Sequence, residues 1–130
     1  MVELVVDTSV LLEYFERRPI RLLERAFDDG TLGIPPLVVA EVTSGDLTLD
    51  QRILLAELLQ EAPIHETTLA HWINVGELRR KLRRRGLKVS LPDAHVAQCA
   101  IELDALLLTR DAVFTQIALH TPLRVTSAAT

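Results

Sequence analysis

Short apolar runs alternate with longer stretches of helical periodicity along this chain, and that alternation leaves few folds open. Residues 2–6 (Val2-Glu3-Leu4-Val5-Val6) and 105–108 (Ala105-Leu106-Leu107-Leu108) read as short buried strands. Between them, Val10, Leu11, Tyr14 and Phe15 recur at helical spacing, and Pro19 stops that helix. Ile20, Leu22, Leu23, Ala26 and Phe27 carry a second helix, ended by Asp29-Gly30. Residues 31–34 form a short strand before Pro35-Pro36, and residues 37–44 a helix stopped by Gly45. A helix over 50–61 turns Ile53, Leu54, Ala56, Leu58 and Leu59 inward, and residues 63–66 read as a strand. Leu69, Trp72, Val75, Leu78 and Leu82 mark one stripe of a long helix closed by Gly86. Helices over 90–104 and 111–119 flank the 105–108 strand, a last strand covers 123–125, and the tail 126–130 frays. Strands alternating with helices predict a parallel sheet with helices on both faces. With no repeat, low-complexity tract or linker, residues 1–130 are expected to form one domain.

Four carboxylates punctuate these elements. Asp7 ends the first strand and Asp111 follows the 105–108 run; Glu41 interrupts the apolar stretch 37–42; Asp93 follows a proline at the start of a helix. Each alone has an ordinary explanation. Asp7 can cap a helix, Asp93 stands in an S-x-x-D pattern with Ser90, and Asp111 suits a first helical turn. Glu41 falls beside Leu37 and Val38 on a helix, so burial is expected, with no base nearby in sequence; a surface position is the plainer alternative. Together they matter more. Right-handed crossovers bring strand C-terminal ends to one edge, where open α/β sheets bind ligands. Like charges about 4 Å apart repel by roughly 4 kcal/mol at an effective dielectric near 20. Acids gathered there raise one another's pKa or bind a cation, and oxygen-only ligands point to Mg²⁺ or Mn²⁺.

The net charge of −4 argues against a polyanion partner, but the distribution does not. Seven of the fourteen basic residues, Arg79, Arg80, Lys81, Arg83, Arg84, Arg85 and Lys88, lie within one segment. Such a patch can hold a nucleic acid locally; the plainer reading is a solvated helix end. Cys99 is the single cysteine, which excludes an intramolecular disulfide and fits a reducing cytoplasm. No signal peptide is expected at the N-terminus, and no apolar stretch approaches the roughly 18 residues a membrane span needs. The segment His65-Glu66-Thr67-Thr68-Leu69 lacks the second histidine of a zinc-protease helix. His95 and Trp72 read as core groups, and Cys99 as a buried inert thiol.

Four segments now carry a resemblance: Val5-Val6-Asp7-Thr8-Ser9, Val38-Val39-Ala40-Glu41-Val42, Leu91-Pro92-Asp93-Ala94-His95-Val96-Ala97 and Leu107-Leu108-Thr109-Arg110-Asp111-Ala112-Val113-Phe114. Their order and spacing resemble the motifs of PIN-domain nucleases over essentially the whole chain, and the short stand-alone form is similar to VapC toxins of VapBC toxin–antitoxin pairs. The resemblance implies an α/β fold, a three-layer α/β/α sandwich with a four- or five-stranded parallel sheet. It implies Mg²⁺- or Mn²⁺-dependent cleavage of RNA by Asp7, Glu41, Asp93 and Asp111. Ser9 and Thr109 match positions whose hydroxyls support the acids; Ser9 stands where many members carry Asn. A homodimer and a small antitoxin that covers the cleft are implied too. The basic segment would guide RNA, and Arg110 would either reach a phosphate or sit as a surface arginine. The competing readings are a PIN nuclease of RNA maturation that is no toxin, and a catalytically silent α/β binding module.

Overall fold

The computed structural model describes residues 1–63 and 65–127. Its elements, in chain order, are β1 (Leu4–Val6), α1 (Thr8–Phe15), α2 (Arg21–Asp28), β2 (Leu32–Gly33), α3 (Pro36–Thr43), α4 (Leu49–Glu61), α5 (Leu69–Arg84), α6 (Leu91–Leu103), β3 (Leu106–Leu108), α7 (Val113–Ala118) and β4 (Arg124–Thr126). The four strands form one sheet in the order β2-β1-β3-β4, and every pairing is parallel. Helices flank the sheet as an α/β/α sandwich: α2 packs on β1 and β2, α6 on β1 and β3, and α7 on β4.

The central strands are apolar because no side of them meets water. Val5, Val6, Leu107 and Leu108 are fully buried, each contributing about 1.5–3 kcal/mol by leaving solvent. Register fixes the site's layout. Leu4, Val5 and Val6 pair with Leu106, Leu107 and Leu108, so the next residues, Asp7 and Thr109, emerge side by side at the carboxyl edge. Gly33 pairs with Val5 in β2. A Cβ there would meet Val2 Cγ1 at 2.7 Å, closer than a stiff β-branched side chain can yield without strain.

Local sequence explains the helix ends. Asp7 caps α1 by accepting from Val10 N, and Thr48 and Gln51 form a reciprocal capping box on α4. Ser90 caps α6 by accepting from Asp93 N, and Pro92 occupies the first turn, where a missing N–H costs nothing. The α6 helix closes at Asp104 in the left-handed region, with φ 50°.

Several expectations need correction. In α4 the buried residues are Leu55 and Leu58, while Ile53 and Leu59 are exposed. The helix carries apolar residues all around, so its pattern does not select a face. Leu69, expected in the α5 stripe, is exposed; His71 takes the buried place. No strand forms at Pro63, His65 or Glu66, and Ile64 lies outside the described residues. Thr126 belongs to β4 rather than to a frayed tail, and residues 128–130 lie outside the described residues. Among the described residues, no helix is long and apolar enough to cross a membrane.

Candidate active site

Asp7 is buried at the end of β1, and both of its carboxylate oxygens accept hydrogen bonds. Its Oδ1 accepts from Ser9 Oγ at 2.7 Å and from Val10 N at 3.1 Å, and its Oδ2 accepts from the Thr109 hydroxyl. Capping and site-building are one arrangement here. The cap locks the Asp7 rotamer, and the register of β1 and β3 supplies the threonine.

Thr109 is buried and works in two directions. While it donates to Asp7, its Oγ1 accepts from Asp111 N at 3.0 Å. Asp111 in turn accepts at Oδ1 from Val113 N at 3.0 Å, so it stands ahead of α7 rather than within it. Both aspartates are thus oriented from one hydroxyl.

Glu41 is exposed, which corrects the expectation of burial. The buried stripe of α3 is Val38 and Val42, and Glu41 lies about 100° around the helix from Val42. It is nevertheless held: Thr8 Oγ1 donates to Glu41 Oε1 at 2.8 Å, joining α1 to α3. Asp93, half-buried in the first turn of α6, completes the group.

Asp7, Thr8, Ser9, Leu12, Glu41, Asp93, Val96 and Asp111 line one cleft of about 280 Å³. All four acids face the same space, and no basic residue is among its lining residues. Asp93 registers the consequence: burial pushes its pKa up, and Asp111, Glu41 and Asp7 push in the same direction, against a hydrogen bond with Ser90. An oxygen-rich, uncompensated negative cleft is the donor chemistry of a hard divalent cation. A larger hollow of about 540 Å³, lined by residues such as Phe15, Thr48 and Glu57, carries no comparable convergence, and its Arg17 and Asp50 pair with each other.

The basic segment is not among the residues lining this cleft. Arg79 donates to the Val89 carbonyl, and Arg80 pairs with Glu77. Lys81, Arg84 and Arg85 line a separate hollow with His120 and Thr121. Arg110 neighbours Asp111 in sequence but is taken up by Glu13, at 2.9 Å, and by the Ser127 carbonyl.

The sequence reading missed a histidine network behind α6. His95 Nδ1 and His71 Nε2 lie 2.7 Å apart, His71 Nδ1 lies 2.9 Å from Glu102 Oε2, and Leu37 N donates to His95 Nε2 at 3.4 Å. Trp72 stacks on His95. Burial, helped by His71 and His65, lowers the His95 pKa to about 4. Burial opposes the Glu102 carboxylate, but hydrogen bonds from His71, Gln98 and His65 outweigh it and hold its pKa below the usual value. Burial, then the Glu102 charge, pushes the Cys99 thiol up to about 12.

A family model described as PIN domain matches residues 4–119. No curated protein matches the chain. Among solved structures, the chain is similar to VapBC2 from Rickettsia felis bound to a DNA fragment from their promoter, at 23% identity and a TM-score of 0.78, over 97% of this chain and 98% of that one. It is similar to DNA-bound VapBC from Salmonella typhimurium, at 17% identity and a TM-score of 0.76, over 97% and 98%. VapBC-1 from nontypeable Haemophilus influenzae matches at 19% identity and a TM-score of 0.70, over 97% of both chains. At these identities the likeness is one of fold.

Proposed function

Because this chain belongs to the PIN-domain family, whose members are generally metal-dependent nucleases, we propose that its four-acid cleft hydrolyses RNA phosphodiester bonds with Mg²⁺ or Mn²⁺. The observation that carries this reading is the convergence of Asp7, Glu41, Asp93 and Asp111 from separate elements onto one cleft with no base lining it. Asp7, Asp93 and Asp111 would hold the cation. When bound, it supplies Lewis acidity toward the phosphate and a more acidic water. Glu41 would hold a second ion or take the proton of the attacking water; Thr8 donates to its Oε1, and the residue lines the cleft. Ser9 and Thr109 fix the rotamer of Asp7, and Thr109 also orients the Asp111 backbone. The segment of Arg79, Arg80, Lys81, Arg83, Arg84, Arg85 and Lys88 would contribute a salt-sensitive attraction for the RNA backbone outside the cleft. Arg110 serves β3 and α1 through Glu13 in this reading and contacts no phosphate.

We further propose a toxin role, with a small antitoxin whose segment covers the cleft, and a homodimer. Support comes from the VapBC assemblies of the same fold and from exposed apolar residues on the surface, Leu12 at the cleft and Leu49 and Ile53 on α4.

The test is RNA cleavage with Mn²⁺ by Asp7→Asn and Asp93→Asn, each checked for native circular dichroism. Loss of a coordinating charge should lower the rate by on the order of 100-fold or more. Parent-like rates would remove these acids from the chemistry. Growth arrest on expression, relieved by co-expressing a neighbouring small gene, separates a toxin from an RNA-maturation nuclease; a catalytically silent module would show neither arrest nor cleavage.

A further inference from the structure

Three of the four histidines in the chain and its single cysteine gather between α5 and α6. One ligand atom each from His65, His71 and Cys99 lie within 4.8 Å of one another. Glu102 Oε2 sits 2.9 Å from His71 Nδ1 and 3.3 Å from His65 Nε2. Tetrahedral zinc, with bonds of about 2.0–2.1 Å to nitrogen and about 2.3 Å to sulfur, sets its donors roughly 3.3–3.6 Å apart. Each histidine nitrogen stands near that spacing from Glu102 Oε2, and the 4.8 Å span that holds the His65, His71 and Cys99 donors would contract on binding.

Hydrogen bonding alone explains part of this cluster. In the metal-free protein the Leu37 N–H donates to His95 Nε2, His95 Nδ1–H to His71 Nε2, and His71 Nδ1–H to Glu102. That chain is complete and needs nothing more. It leaves unexplained why a second histidine, His65, aims at the same Glu102 oxygen. It also leaves Cys99 with contacts of only 3.7–3.9 Å to the His95 ring, weak for a thiol. Two imidazole nitrogens and a thiol sulfur within reach of one another, with a carboxylate oxygen against both imidazoles, are the donor types a borderline-soft cation selects.

We propose that His65, His71, Cys99 and Glu102 bind one Zn²⁺ ion, at a site separate from the acid cleft and independent of any nuclease activity there. His71 and Cys99 are buried, while His65 and Glu102 retain 18% and 25% side-chain exposure and give the ion its way in. His95 supports the site from behind: bound through Nδ1, His71 carries its proton on Nε2 and donates it to His95 Nδ1, and Trp72 fixes the His95 plane at 7° to its own. The proton of His95 then moves to Nε2, and the long 3.4 Å contact from Leu37 is given up. The two rings keep their proton count; the thiol proton of Cys99 leaves to water as the sulfur–zinc bond forms. The ion ties the segment before α5 to α6.

Cobalt is the probe. The full chain carrying Asp7→Asn and Asp93→Asn, which weakens the acid cleft as a competitor, is titrated with Co²⁺. One equivalent should produce the strong visible absorption of four-coordinate cobalt and a thiolate-to-cobalt band in the near ultraviolet. Zn²⁺ should abolish both, and excess Mg²⁺ neither. Adding Cys99→Ser, a nearly isosteric change, should remove the thiolate band; His65→Ala, outside any helix, should weaken cobalt binding at least about ten-fold. Only weak, six-coordinate cobalt absorption, or a near-ultraviolet band that survives Cys99→Ser, would overturn the proposal.

Discussion

Thr109→Val tests the idea that one hydroxyl organises the acid cleft. Valine keeps the shape of the side chain and deletes its oxygen. Two hydrogen bonds are lost: the donation to Asp7 Oδ2 and the acceptance from Asp111 N. The first involves a buried carboxylate, and such bonds contribute about 1.5–3 kcal/mol. The second leaves an N–H on an exposed residue, where water can replace the partner, so its loss costs about 0.5–1 kcal/mol. The expected destabilisation is about 2–4 kcal/mol. For 130 residues the unfolding entropy is about 0.27 kcal/mol per kelvin, so the melting temperature should fall by about 10 °C. Urea unfolding in the presence of EDTA measures this without any contribution from a bound cation. Thr109→Ser is the control, since it keeps the hydroxyl and loses only a methyl, at about 1 kcal/mol. If serine and valine destabilise equally, the methyl and not the hydroxyl holds the site, and the reasoning fails.

Acid should weaken the fold through His95. Its folded pKa of about 4 lies below the ordinary 6.5, so the unfolded chain binds the extra proton between those values. The contribution is therefore complete above pH 6.5 and is lost as the pH falls toward 4, by on the order of 3 kcal/mol in all. Asp93, whose pKa is raised, opposes part of this slope, so the comparison is with His95→Gln, whose stability curve should be flatter from pH 6.5 to 4; an identical slope would refute it. Reversing charge at Arg83 and Arg84 should lower RNA affinity about ten-fold or more at low salt and less at high salt, measured by fluorescence anisotropy. Unchanged affinity would make that stretch a solvated helix end. Thr48→Ala removes half of the α4 capping box and should cost about 1 kcal/mol in urea unfolding, with no change in metal binding by the cleft.

The sheet was legible because its central strands are buried on both faces. Such strands appear in sequence as unbroken apolar runs, and the runs at 4–6 and 106–108 are too short for anything else. The acids stood out for the same reason: each follows or interrupts an apolar segment. What sequence could not supply was contact between distant elements. Nothing in the spacing of His65, His71, His95 and Glu102 announces that they meet, because they meet across two packed helices and a loop rather than along one periodic face. Arg110 was left between a phosphate contact and a surface position, and neither reading could name its partner: beyond the end of β3 it pairs with Glu13 on α1, 97 positions away in the chain. The exposure of Glu41 turned on a single helical step away from Val42, a distinction that a short apolar helix leaves open.

Asp7 and Thr109 touch, yet 102 positions separate them along the chain. On the ribosome, Asp7 and Glu41 emerge long before Thr109 and Asp111 have been synthesised. Until β3 slots in beside β1, the early acids have neither their aligning hydroxyl nor their fourth companion. Strand order thus sets a sequence of events: a nascent chain that has not yet made β3 carries some of these acids but not their assembly, and the cleft comes together only once Thr109 and Asp111 have joined it.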